Sequence, residues 1–308
     1  MRIKGTKGVL LAVLSASVHH MCAHDDGPIP IGNFALPMSQ QPSPLFSFGQ
    51  NIVAQHDALG YINPIYFKGG NHKRLFLNEL IAIYGITDEA SFFINLPAPA
   101  INKENNLFSS GFGDLFFQGE YAYLDRRSDT AISQATIVAS IFFPTGVFQA
   151  SELGPNTSPH IPFTGLGGVS FFLGGTLQRT TINWYMFTSC GSVFTTRHNN
   201  NKSGNSVLYQ AGIGRNITHL KNQVLLLLFE LDGVASNKDT MMGKKDFNSG
   251  GNVIYFGPCI YYSTKRTIFQ AGVQVPVYQK LNGIQPKISY QISISLAWLF
   301  NHDDYDKR

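Results

Sequence analysis

The sequence predicts an all-β chain: a membrane-spanning, up-and-down antiparallel β-barrel of about twelve strands, with short periplasmic turns and long outer loops. Three observations predict it. The stretch KISYQISISLAWLF over residues 287–300 alternates large apolar residues (Ile288, Tyr290, Ile292, Ile294, Leu296, Trp298, Phe300) with small or polar ones, the period of a two-faced strand. The chain opens like an exported protein, and no helix-length apolar run follows. Short and long connections then alternate along the chain, which an up-and-down barrel requires and a sandwich does not.

The opening segment comes first. Arg2, Lys4 and Lys7 precede the apolar run VLLAVLSASV over 9–18, and HHMCA ends at Ala23. A basic start, a short apolar run and a small residue before a polar stretch describe a secretory signal over 1–23, too short to span a bilayer. That signal carries three of the 23 basic residues and none of the 19 acidic ones, so the remainder is near neutral at 20 against 19. The basicity belongs to export and points to no nucleic-acid partner. Charged residues make up 14% and aromatics 13%, a balance poor in charge for a soluble domain and suited to a barrel wall in lipid. Cys190 and Cys259 fall in strands far apart in order and read as two separate thiols.

Residues 24–45, HDDGPIPIGNFALPMSQQPSPL, hold five prolines and no strand period. They read as an extended tail or a plug, with the barrel expected over 46–300 and a polar tail, NHDDYDKR, over 301–308. Strand-like runs follow at about 46–56, 74–86, 91–97, 112–124, 131–143, 165–179, 182–194, 205–217, 222–235, 252–263, 267–278 and 287–300. TDEA, DRRSD, TT, THLKN and TKR are the short links; the long ones include 57–73, APAINKENNLFSSG, the segment from PTGVF to HIPFT, and SNKDTMMGKKDFNSGG. Within 267–277, Phe269, Ala271, Val273, Val275 and Val277 form the expected lipid face against Gln270, Gly272, Gln274 and Pro276. By the same parity Ile292 faces lipid and Ser293 the lumen, whereas 74–86 and 182–194 alternate too poorly to orient.

Four short motifs occur in order: GFGDL at 111–115, PTG at 144–146, ELDG at 230–233 and GP at 257–258. With FALPMSQQPSPLFSFGQNI over 34–52, their order and spacing resemble the meta-pathway of phenol degradation family of outer-membrane proteins, akin in outline to the long-chain fatty-acid and aromatic-hydrocarbon channels. The resemblance covers most of the chain after the signal. It implies an outer-membrane channel or transporter for small hydrophobic compounds, aromatic ones included, with membrane lipid and a small hydrophobic molecule as its partners. One departure is that Phe300 is followed by further residues, whereas such chains usually end on an aromatic.

Parity places Asp114, Gln118 and Glu120 opposite Leu115 and Tyr121, and Glu230 and Asp232 opposite Phe229 and Leu231. A carboxylate facing lipid is costly, so these five are the candidate lumen or constriction residues. Two roles are open to them: shaping what passes, or pairing with Lys and Arg to hold the barrel. A general porin or a structural surface barrel is the second reading of the whole chain, and an outer-membrane lipid-modifying enzyme the third. Catalysis would need His and Ser together near the rim with an orienting group. The histidines fall mostly in loops or tails, and Asn156, Thr157, Ser158 and His160 form one polar loop group without a recognisable triad. Neither HExxH nor CxxC occurs, so the expectation is no enzyme, no metal and no cofactor. GLGG and FLGG over 165–175 are read as strand glycines, since no helix follows to make a phosphate site.

Overall fold

A computed structural model describes residues 30–70, 73–104, 107–146, 165–218 and 220–300. The signal over 1–23, the start of the proline-rich segment over 24–29, the tail over 301–308 and the loop group from Asn156 to His160 lie outside the described residues. In chain order the strands are β1 (Ala58–Gly69), β2 (Arg74–Thr87), β3 (Ala90–Glu104), β4 (Leu107–Gly111), β5 (Leu115–Ser128), β6 (Ala131–Phe143), β7 (Ser170–Thr181), β8 (Trp184–Thr195), β9 (Ser206–Asn216), β10 (Gln223–Ser236), β11 (Thr240–Met241), β12 (Lys244–Lys245), β13 (Gly251–Thr264), β14 (Thr267–Leu281) and β15 (Ile288–Leu299). β4 lies along the outer half of β3, and β11 and β12 make a small hairpin in the β10–β13 connection. The other twelve close into one antiparallel barrel, with Leu59 of β1 opposite Leu299 of β15 and Tyr66 opposite Ile292. Closure pairs every strand on both sides, which a sheet in lipid needs because no water is there to satisfy an edge.

The side-chain period lands as alternation requires. On β15, Ile294 is 45% and Leu296 52% exposed on the outer surface, while Ser293 and Ser295 are buried inside. Trp184 and Trp298 stand on the outside at the short-turn end, where Arg215 sits 5.5 Å over the Trp184 ring, an amphipathic pair suited to a membrane interface. Cys190 faces outward and Cys259 inward, both as free thiols.

The two strands that sequence alone could not orient are resolved by what fills the barrel. On β8, Trp184 and Met186 point outward while Tyr185 and Phe187 are buried inside. On β10, Val224, Leu226 and Leu228 point inward beside Glu230, and Leu227, Phe229 and Leu231 point outward. The short-turn end of the lumen is therefore a hydrophobic core: Tyr185, Phe187, Leu226, Leu228 and Tyr261 pack on Ala35 and Leu36. Both faces of such a strand bury apolar groups, one in lipid and one in this core, so a two-residue period of polarity disappears. β2 behaves alike, with Leu80, Tyr84 and Ile86 outward and Glu79, Ile81 and Ile83 inward.

Three expectations need correction. The first strand is Ala58–Gly69, not 46–56, so the wall begins twelve residues later than 46 and the first outer connection is only 70–73. Residues 57–73 read as a long connection; in the barrel Pro64 takes a ladder position opposite Asn78 of β2, and toward β15 the pairing passes from Ile62 to Ile65 without it, so its missing N–H interrupts that ladder only locally. The apolar residues of 46–56 that suggested a strand, among them Ile52, Val53 and Ala54, are buried inside the barrel instead. Gly165–Gly168 also precede β7, which starts at Ser170, so GLGG belongs to a connection while Gly174 and Gly175 are strand glycines.

Residues 30–57 contain no strand, only two single 3-10 turns at Gly32–Phe34 and Met38–Gln40. They enter at the short-turn end, where the Asn33 N–H donates to the Ile182 carbonyl in the β7–β8 turn at 2.8 Å. They reach Glu230 midway along β10 and return to the same end, where the His56 N–H donates to the Gly85 carbonyl at 2.9 Å. Gly32 has φ +59°, and a Cβ there would lie 2.1 Å from the Ile182 carbonyl oxygen, so only glycine lets the chain pass this turn so closely.

Candidate functional site

The inner segment is held by side chains of the wall, in place of a strand ladder. Glu230 receives the Leu45 N–H at 2.9 Å, the Phe46 N–H at 3.2 Å and the Ser47 hydroxyl at 3.2 Å. The same hydroxyl lies 2.6 Å from Asp232 Oδ1. The Phe48 N–H donates to Gln210 Oε1 at 3.0 Å and the Asn51 N–H to Glu120 Oε2 at 3.1 Å. Tyr261 donates to the Gln40 and Gln41 carbonyls, and Tyr185 bonds to Gln50. A chain crossing a lumen without neighbouring strands must find partners for its backbone groups, and carboxylates and amides on inward positions supply them.

Four of the five residues predicted for the lumen are brought into this arrangement. Gln118 donates through Nε2 to Glu120 Oε1 at 2.8 Å and accepts the Ser140 hydroxyl through Oε1 at 2.8 Å. Glu230 and Asp232 stand two residues apart on β10, and Gln274 bonds to Asp232 and accepts from Gln291 at 2.5 Å. The partners of Glu120, Glu230 and Asp232 are N–H groups, a hydroxyl, amides and the Cys259 thiol, with no Lys or Arg among them.

Asp114 stands apart. It lies in the bend between β4 and β5, and its two oxygens accept from the Gly146 N–H at 2.9 Å and the Leu166 N–H at 2.6 Å. Thr145 adds two bonds to the same bend, to Gly113 and from Leu115. So the motifs GFGDL, PTG and the first residues of GLGG meet in space, the aspartate tying both ends of the β6–β7 connection to the wall. A Cβ at Gly165 would lie 2.4 Å from Asp114 Oδ1 and one at Gly146 2.8 Å, so the close approach needs glycine at both. Asp114→Ala is expected to destabilise the barrel by about 1–3 kcal/mol, through two bonds to a charged acceptor lost at once. Urea titration in lipid vesicles measures this, with Asp114→Asn losing less. The other two motifs have steric reasons. At Gly233 a Cβ would meet the Tyr209 ring at 2.0 Å, and at Gly257, near the β13–β14 bulge, the Val273 carbonyl at 1.9 Å.

Between the inner segment and the wall lies a cavity of about 320 Å³. Phe67, Phe93 and Phe116 line it from the wall and Phe46 and Phe48 from the inner segment, with an amide-rich side from Gln210, Gln270 and Gln291. Phe48 also packs edge-on to Phe172 at 4.6 Å between ring centroids. Sequence reading missed Glu79, Asn63 and Asn95, which also line this space. The signal was present: a carboxylate at position 79 of a membrane strand must face inward, and that alone would have oriented β2.

No protein-family model matches this chain, and no curated protein does. Among solved structures it is similar to the COG4313 outer membrane channel from Pseudomonas putida F1, with 12% identity, a TM-score of 0.65, and coverage of 82% of this chain and 99% of that one. The NanC porin matches at 10% identity and a TM-score of 0.47, over 78% of this chain and 98% of that one. The Ralstonia pickettii toluene transporter TbuX matches at 10% identity and a TM-score of 0.36, over 89% and 94%. At such identities the likeness is one of fold, and the first match carries it: an outer-membrane β-barrel.

Proposed function

We propose that the protein is an outer-membrane channel for small hydrophobic molecules, with the segment before β1 acting as a plug. The observation that carries the reading is the 320 Å³ cavity, walled by phenylalanines from both barrel and inner segment, inside a lumen otherwise filled by that segment. A permanently open porin has a wide aqueous path; here the short-turn end is closed by a hydrophobic core. The channel description of the Pseudomonas putida relative agrees with this reading, as do the ordered motifs, which support the phenol-degradation family outline. On this reading Glu120, Glu230 and Asp232, with Gln118 steadying Glu120, are the constriction residues. They act by holding the plug, and the leader over 1–23 is removed on export. Initial uptake of radiolabelled toluene tests it, in Gram-negative cells whose lipopolysaccharide slows passive entry. Expression is expected to raise that rate and to leave arabinose uptake unchanged. A rise for arabinose alone would identify a general porin, and no rise for either a structural barrel.

A further inference from the structure

The cavity has a chemically distinct pole. Glu79 of β2 lines it, and among the cavity's lining residues there is no Lys, Arg or His. Glu79 Oε2 accepts from Asn63 Nδ2 at 2.7 Å, and the Asn95 amide is its other side-chain partner. Asn63 Oδ1 is already taken by the Ser293 hydroxyl at 2.9 Å. Asn95 is 2% exposed, and its Oδ1 has no hydrogen-bond partner. A buried amide oxygen without a donor and a carboxylate without a cation are each unfavourable in a low-dielectric lumen. Both sit on the wall of the space, with Phe116 paired directly opposite Asn95 on β5, Phe93 two residues away on β3 and Phe67 beyond Asn63 on β1, while Phe46 and Phe48 line the space from the inner segment.

We infer that this cavity binds a compact apolar molecule carrying one hydrogen-bond-donor head, an ammonium best and a hydroxyl next, and that it rejects carboxylates. The inference rests on the channel reading and narrows its substrate class. The donor head meets Glu79 and Asn95, and the apolar body lies among Phe67, Phe93 and Phe116. An anion would meet an acceptor-only pole and no positive charge. The other inward carboxylates, Glu120, Glu230 and Asp232, repel it further at longer range.

Isothermal titration of the full protein in detergent tests this with four probes of one size: benzylamine, benzyl alcohol, toluene and benzoate, each also titrated into empty micelles. Benzylamine is expected to bind at least about tenfold more tightly than toluene, with benzyl alcohol between them and benzoate showing no saturable heat. Glu79→Gln should bring benzylamine down to the level of benzyl alcohol. The ranking in the unaltered protein needs no variant, so a misfolded Glu79→Gln does not remove the test. Toluene binding as tightly as benzylamine, benzoate binding as well as either, or no saturable binding by any probe would each overturn the inference. Toluene uptake by cells reads the channel function separately, so the two can fail independently.

Discussion

A disulfide between Ser47→Cys and Asp232→Cys, made in a Cys190→Ser, Cys259→Ala background, is expected to reduce toluene uptake to the rate of cells lacking the barrel. A reductant is expected to restore it. The native Ser47 hydroxyl lies 2.6 Å from Asp232 Oδ1, so these two positions join the inner segment to β10 at close range and are the natural pair to cross-link. Passage past the hydrophobic core at the short-turn end requires the inner segment to shift, since Ala35 and Leu36 pack directly on Tyr185, Phe187 and Leu226. The contacts that resist the shift are numerous but reversible. Hydrogen bonds to a charged acceptor contribute about 1.5–3 kcal/mol each, so the Leu45 and Phe46 N–H groups on Glu230 resist the shift without making it impossible. A covalent bond removes the open form altogether. Either single cysteine variant, or the pair kept reduced, controls for loss of the native side chains. Unchanged uptake with the disulfide shown intact by mass spectrometry would mean that solutes travel around the segment and that it is no plug.

Ile294→Arg is expected to lower the free energy of insertion and folding by about 2–4 kcal/mol, the cost of a cation on the lipid face near the bilayer midplane, while Ser295→Arg costs much less. Ile294 is exposed on the outer surface midway along β15. Its neighbour Ser295 is buried and lines the internal cavity, which Glu79 also lines, so an arginine there has space and a carboxylate within the same enclosure. Ser293 would be a poorer comparison despite its equal parity, because its hydroxyl donates to Asn63 Oδ1 at 2.9 Å and its replacement would break that bond as well. Folding titrations into lipid vesicles separate the positions. Equal penalties at 294 and 295, or a greater one at 295, would show the inside and outside of the barrel to be reversed.

The barrel itself was legible because lipid imposes a rule that the local sequence must obey. The lipid-facing positions of a strand are predominantly apolar, so Ile292, Ile294, Leu296 and Trp298, or Phe269, Val273 and Val275, announce their face one strand at a time. A carboxylate obeys the converse rule, and for that reason Gln118, Glu120, Glu230 and Asp232 could be assigned inward from parity alone. The four motifs were also legible as a set, though not their purpose. Only the fold shows that Asp114 reaches the N–H groups of Gly146 and Leu166, contacts that span tens of residues of chain.

What the sequence could not determine is what occupies the lumen. An inward side chain meets whatever fills the barrel, and that filling comes from a distant part of the chain. Tyr185, Phe187, Leu226 and Leu228 are apolar because Ala35 and Leu36 lie against them, so their strands lose the alternation that marks a water-filled barrel. The segment 46–56 is the mirror case. Ile52, Val53 and Ala54 imitate a strand because they too are buried, yet the N–H groups of Asn51, Val53 and Ala54 are answered by the Glu120, Ser91 and Ser39 side chains and not by a strand ladder. Local pattern reports that a residue is buried. Which surface buries it is decided only when the wall closes around the chain.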